Sequence, residues 1–264
     1  MEQTIATVVA EGARPAAIVR RISTADLVSA LRAGWGDFRA IPTQILFLGL
    51  LYPVVGLIAA RLATGGLVSL LFPLLAGVSL MGPLVALGLY EISRRRERGE
   101  PVSLLTAFAA LRSPAIGAIL ALGGLLFAIF LAWLLAARLI YLATLGTGPH
   151  EESLAALIAA AVSTPQGWGL ILLGNGAGFL FAALVLGITV VSFPALLDRP
   201  SDAWTAVRLS LTVVARNPGP MALWGLIVAG LLVLGALPLL IGLAVVLPVL
   251  GHATWHLYRR VVSW

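Results

Sequence analysis

Long apolar blocks alternate with short polar segments that carry arginine along the whole chain. A helix that spans a bilayer needs about 20 mostly apolar residues. On that measure residues 41–60 form a first span, Arg61 and residues 64–66 a turn, and residues 67–90 a returning span. A basic loop follows, and residues 115–145 make a third span, longer than needed. Residues 146–167 form a short loop without arginine, and 168–193 a fourth span. The last apolar block, 221–258, would reach about 57 Å as one straight helix. A bilayer core is about 30 Å thick. Two spans, 219–237 and 239–258, with a turn around Gly235–Pro238 fit better. Proline there removes a helix hydrogen bond. The pattern predicts an all-α polytopic membrane protein with six transmembrane helices. They form a single domain over residues 22–264 behind a flexible tail, residues 1–21.

Each pair of spans follows a similar polar segment: "STADLVSALRAGWGDFRAIP" (23–42), "VSLLTAFAALRSP" (102–114) and "SDAWTAVRLSLTVVARNP" (201–218). Each opens on a serine or aspartate suited to a helix N-cap, and Ser23 with Asp26 fits a capping box. Apolar residues recur at helical spacing: Leu27, Leu31, Trp35 and Phe38; Leu104, Phe108 and Leu111; Trp204, Val207, Leu211 and Val214. Each segment ends with an arginine shortly before a proline: Arg39 and Pro42, Arg112 and Pro114, Arg216 and Pro218. This is a repeat of an amphipathic surface helix followed by a helical hairpin. The second helix of each hairpin carries a proline, Pro83, Pro194 or Pro248. Downstream of these lie Glu91, Asp198, and the pair His252 and His256. Threefold packing brings those ends together.

Composition agrees with a membrane class. The chain is 60% hydrophobic and 11% charged, against about 45–50% and 25% in soluble domains. It has no cysteine, which excludes disulfides, thiolate metal sites and cysteine nucleophiles. All 17 basic residues are arginine. Such a basic chain invites a nucleic-acid reading, but in a membrane protein clustered arginine sets topology. Of the 17 arginines, 15 fall on one side of the six-span arrangement, the side of both termini. Only Arg61 and Arg138 fall toward the other. The bias makes both termini cytoplasmic. The start lacks the basic region of a signal peptide, with Glu2 in its place.

Few residues carry chemistry. His252 and His256 share a helix face and bind a metal or haem if other ligands converge. Trp255, Tyr258, Arg259 and Arg260 around them mark a membrane–water boundary, where histidine is ordinary. On that reading, replacing both histidines by alanine leaves folding intact. Glu91 begins the charged loop and pairs with Arg94 or Arg95 at a solvated helix end. Arg138 sits inside the third span near its outer end, where it snorkels to water or pairs with Glu151 and Glu152. Asn175, among small residues, suits a bond across helices, and Gln44 reads the same way. Asp198 and Asp202 flank Pro200, and Asp202 is placed to cap a helix. Trp35, Arg39, Arg94, Arg95, Arg96, Arg112, Trp204 and Arg216 complete the set of interface residues. Phosphate-binding loops, dinucleotide fingerprints and nucleophile elbows are absent from the sequence.

The segments "GPLVALGLYEISRRRERGEP" (82–101), "VSFPALLDRPSDAW" (191–204) and "GHATWHLYRRVV" (251–262) together resemble a family of predicted bacterial integral membrane proteins of unknown function. Some of its members are labelled putative cytochrome c oxidase subunits. The resemblance implies a six-helix inner-membrane protein and no binding residues. A haem–copper catalytic subunit needs at least six histidine ligands over several helices, and this chain has three histidines. An accessory role beside a respiratory complex is compatible with the residues.

Three functions are therefore in play. The first is a non-enzymatic scaffold or accessory subunit acting through helix contacts and anionic lipid headgroups, with no cofactor and no nucleic acid. The second is a small transporter or channel, for which Gln44, Arg138 and Asn175 are few polar groups. The third is a metal- or haem-binding protein built on His252 and His256.

Overall fold

The computed structural model describes residues 17–43, 61, 68–146, 153–238 and 240–264. These residues are mostly helical. The expected first span, 41–60, lies almost wholly outside them. Gln44, His150, Glu151 and Glu152 also lie outside.

Three runs among the described residues are long and apolar enough to cross a membrane: Ile116–Thr144, Pro165–Asp198 and Pro218–Ala236. The first is α5 (Ile116–Thr144). The second is bent, being α7 (Pro165–Thr189) and α8 (Ser192–Asp198) in series. The third is α10 (Pro218–Ala236). Proline explains the bend. Pro194 lacks an N–H for the carbonyl four residues back, Val190, and the helix breaks beside it. The same rule interrupts the expected span 67–90. Here the chain forms a 3-10 turn, Val68–Leu70, then α2 (Leu71–Leu80), α3 (Gly82–Val85) and α4 (Leu87–Glu97). The break between α2 and α3 lies between Pro83 and Ser79, four residues before it. The last helix, α11 (Leu243–Val261), keeps Pro248 inside it without a break. The turn before α11 falls near the expected place, with Leu240 in the left-handed region at φ 68°.

A helix that the polar pattern does not announce, α6 (Leu154–Ser163), occupies the segment read as a loop. Ser153 caps it, accepting from the Ala156 N–H at 3.2 Å.

The three similar polar segments are α1 (Thr24–Ala40), a 3-10 helix (Leu104–Arg112) and α9 (Ala203–Arg216). Each is capped at its start by a bond across three residues, the first two in one direction and the third in the other. Asp26 accepts from the Ser23 N–H at 2.9 Å, Thr106 from the Ser103 N–H at 2.9 Å, and Asp202 from the Thr205 N–H at 2.9 Å. Each packs against helices outside its own segment: α1 against α11, the 3-10 helix against α4, and α9 against α7 and α8.

The buried face of each is not the large apolar stripe. On α1 it is Leu27, Ala30, Gly34 and Asp37; on the 3-10 helix, Thr106 and Ala110; on α9, Ala206, Val207, Ser210 and Val213. Trp35, Leu105, Phe108, Leu111, Trp204 and Leu211 are exposed. Small residues let helix backbones approach closely where no large side chain intervenes. At Gly34 a Cβ would lie 2.5 Å from the backbone nitrogen of Ala253, and at Gly88 2.8 Å from the Ala107 Cβ. On α9 Ser210 Oγ donates to the Gly187 carbonyl at 2.8 Å.

The chain ends are joined. Strand β1 (Ile18–Val19) pairs antiparallel with β2 (Val262–Ser263), Ile18 opposite Ser263 and Val19 opposite Val262. Residues 18–21 of the expected tail are thus held in place. Asn217 fastens the same segment. Its side chain accepts from the Ile22 N–H at 2.9 Å and donates to the Arg20 carbonyl at 3.0 Å.

The Gly34 contact is testable. Gly34→Val is expected to destabilise the purified protein by about 1–3 kcal/mol, seen as a lower midpoint of thermal unfolding in detergent. Gly36→Ala, which meets nothing within 4 Å, is expected to leave the midpoint unchanged or slightly raised.

Candidate functional site

The α1–α11 contact carries a polar cluster. Gly34 brings the two backbones together, and one turn further along α1 Asp37 is buried against α11. Ser93 and Arg96 reach it from α4. Ser93 Oγ donates to Asp37 Oδ2 at 2.6 Å and lies 2.8 Å from His252 Nδ1. His256 Nε2 donates to Asp37 Oδ2 at 2.8 Å. Arg96 Nε stands 3.2 Å from Asp37 Oδ1. Thr43 Oγ1 lies 3.4 Å from His252 Nε2.

The proton positions follow from donor counting. Ser93 has one hydroxyl hydrogen, and Asp37 takes it. His252 therefore donates from Nδ1 to Ser93 Oγ, and its Nε2 accepts from Thr43. Asp37 receives three donors, the arrangement of an ionised carboxylate. Burial pushes its carboxyl up, but the hydrogen bonds from His256 and Ser93 outweigh that. The net pKa lies below the usual 3.8.

Serine, histidine and aspartate are the members of a nucleophilic triad, but the order of bonds differs. In a triad the histidine takes the serine proton and the aspartate holds the histidine. Here the serine gives its proton to the aspartate, and its side chain is fully enclosed. Nor do the histidines converge on a common point. His252 turns to Ser93 and Thr43, and His256 to Asp37. Among the described residues no three histidine, aspartate or glutamate side chains are grouped to hold a metal ion.

His252 is 0% exposed, so it is enclosed within the protein. Trp255 and Tyr258 are equally buried, at 1% and 0%. Trp255 Nε1 donates to Glu97 at 2.9 Å, and the Tyr258 hydroxyl to Asp198 Oδ2 at 2.9 Å. Trp35 and Trp204 do remain on the outside, as do Arg39 and Arg112.

Glu91 pairs with both expected arginines. Arg95 Nε donates to it at 2.7 Å, and Arg94 holds it with two N–H groups at 2.9 and 3.0 Å. It is only 1% exposed, so this is no solvated helix end. The third N–H group of Arg94 donates to the Leu197 carbonyl at 3.0 Å, tying α4 to α8. Asp198 is a second hub, joined to Arg98 at 3.4 Å and to Arg259 at 3.3 Å. Arg259 also bonds Glu97 at 3.0 Å. Arg260 reaches Asp26 at 3.4 Å and Arg216 the Val19 carbonyl at 3.4 Å. The ends of α4, α8 and α11 thus meet in one ionic lattice.

Two sequence candidates lie apart from it. Arg138 donates to Ser69 at 3.0 Å and lies 5.4 Å over the Tyr141 ring. Asn175 does not bond across helices; it faces outward and donates to the Ile171 carbonyl one turn back on its own helix, at 2.7 Å. Asp37, Ser93 and Asn217 were not singled out in the sequence. The small-residue face of α1 was the available signal for Asp37.

Residues 71–198 match a family model described as predicted integral membrane protein (DUF2189). This is the family of unknown function that the sequence motifs resemble. The matched stretch holds the motif at 82–101 and the core of the one at 191–204; the histidine motif lies beyond it. No curated protein and no solved structure shows a significant match to the chain.

The site gives two predictions. The folded Asp37 pKa is depressed, so the carboxylate stabilises the fold above its unfolded value and loses that effect as pH falls through the folded one. Asp37→Asn is expected to lower the thermal midpoint at neutral pH, by about 1–3 kcal/mol. The gap between wild type and variant narrows below pH 3.8. His252→Ala leaves Ser93 and Thr43 facing a void, at a similar cost of about 1–3 kcal/mol. Thermal unfolding of that variant replaces the expectation that the histidines are dispensable for folding.

Proposed function

We propose that this chain is a non-enzymatic scaffold or accessory subunit of the bacterial inner membrane, acting through helix contacts and anionic lipid headgroups. The observation that supports it most is the destination of the polar groups. At the arginine-rich end, Asp37, Glu97, Asp198 and His252 are bonded to groups from other helices of the chain, binding the helix ends together. Large apolar side chains and many of the arginines face outward. Polar groups in an apolar medium need internal partners, and such a lattice makes a rigid hub.

The topology is six spans arranged as three hairpins, each led by a cytoplasmic helix, with both termini in the cytoplasm. The three caps support it, as do the three small-residue contacts between helices. The arginine bias supports the orientation. A respiratory complex is the partner that the family resemblance suggests.

The test is gentle detergent purification from native membranes, with mass spectrometry of co-purifying proteins and metal analysis of the same sample. The expected result is a stoichiometric membrane-protein partner without metal. Stoichiometric metal and no partner overturns the reading in favour of a metal-binding protein. The absence of cysteine makes orientation simple to measure. Glu151→Cys is expected to react with an impermeant maleimide in intact spheroplasts, and Glu100→Cys only after permeabilisation. The reverse pattern refutes the orientation.

A further inference from the structure

A cavity of about 740 Å³ opens where the chain ends meet the α8 terminus. Its charged lining is Arg20, Arg98, Arg199, Arg259 and Asp198, and its remaining walls include Pro200 and Trp264. Four guanidinium groups thus face one carboxylate. Such a convergence of like charge is unfavourable when empty and favours an anion.

The arginines are positioned by contacts that leave most of their donors unused. Each guanidinium has five N–H donors. Arg20 gives one to Ser263 at 3.2 Å, and Arg98 one to Asp198 at 3.4 Å. Arg259 gives one to Glu97 and one to Asp198. Arg199 lies 5.9 Å over the Trp264 ring. That ring is itself fixed, its Nε1 donating to the Tyr258 hydroxyl at 2.8 Å. The planar fork of arginine matches the oxygens of phosphate, two at a time. Sites for small molecules span about 300–1,000 Å³, so the volume holds more than one phosphate group.

We propose that this cavity binds an anion carrying one or more phosphate groups, with two or more negative charges in total. Two sources share that chemistry: the headgroup of an anionic lipid and a soluble phosphate compound. The lipid source rests on the scaffold reading and its orientation given above; binding of a soluble phosphate does not.

The test uses the full chain in neutral detergent. Pyrophosphate is titrated by calorimetry, and phosphatidylglycerol, cardiolipin and phosphatidylcholine are compared by native mass spectrometry. Arg199→Gln and Arg20→Gln remove a cavity charge each. Arg208→Gln removes an exposed charge that does not line the cavity. The expected result is binding of pyrophosphate or an anionic lipid at one per chain, weakened about tenfold or more by either cavity variant and unchanged by Arg208→Gln. Competition between anionic lipid and pyrophosphate assigns the site to headgroups; pyrophosphate binding that lipid leaves intact assigns it to a soluble compound. Equal losses in all three variants, or no binding of any anion to wild type, overturns the proposal. If both cavity variants keep wild-type affinity for anionic lipid, the cavity assignment falls while the scaffold reading stands.

Discussion

A carboxylate buried between two helices requires donors, and those donors decide what packs around it. Asp37 is brought to α11 because Gly34 has no side chain to hold the backbones apart. Once there, it takes Ser93 and Arg96 from α4 and His256 from α11. One residue thereby fixes the relation of three helices that are distant in sequence. Removing any donor leaves charge or a hydroxyl without a partner in a space closed to water, which costs more than the bond gained by making it. His252 is enclosed in this contact, while Trp255 and Tyr258 on the same stretch of α11 turn to Glu97 and Asp198.

The same end of the molecule contains two further hubs with different exposure. Glu91 is closed off by Arg94 and Arg95, its neighbours on the same helix, and links outward only through the Leu197 carbonyl. Asp198 gathers Arg98, Arg259 and Tyr258 from other helices and stands at the rim of the arginine-lined cavity. The three carboxylates therefore have distinct tasks. Asp37 orders the core, Glu91 stiffens one helix end, and Asp198 holds arginines in place beside open space.

Much of this was legible in the sequence, and the limits have physical causes. Helix positions followed from apolar run length, and α5 and α10 lie within a residue or two of their expected bounds. The caps at Ser23 and Asp202 and the pairing of Glu91 with its arginines followed from spacing. Burial did not follow. In a soluble protein the large apolar stripe of a helix faces inward, but here lipid is as apolar as the core, so large side chains gain little by turning in. The inward face of α1 is instead chosen by close approach, and Leu27, Ala30, Gly34 and Asp37 lie on it. A search for hydrophobic stripes passes over that face. The enclosure of the histidine stretch was hidden for the same reason: α1 packs on it through small residues and not through its large apolar ones.

The likeness of the three polar segments lies in their frame and not in their chemistry. Each opens on a side-chain cap and crosses another helix at a small residue. The pairs are Gly34 with Ala253, Ala107 with Gly88, and Ser210 with Gly187. At the first crossing the adjoining residues are an aspartate and two histidines; at the third a serine bonds directly to the backbone. Pro83 and Pro194 interrupt their helices, whereas Pro248 does not. A crossing made of small residues asks only for room, so the positions beside it are free to diverge once the frame closes. One interface has taken on a buried charge network, while a cavity lined by arginine has formed where the chain ends meet α8. Three similar crossings thus carry three different sets of neighbouring groups, and the end of the molecule where they meet is correspondingly uneven in charge.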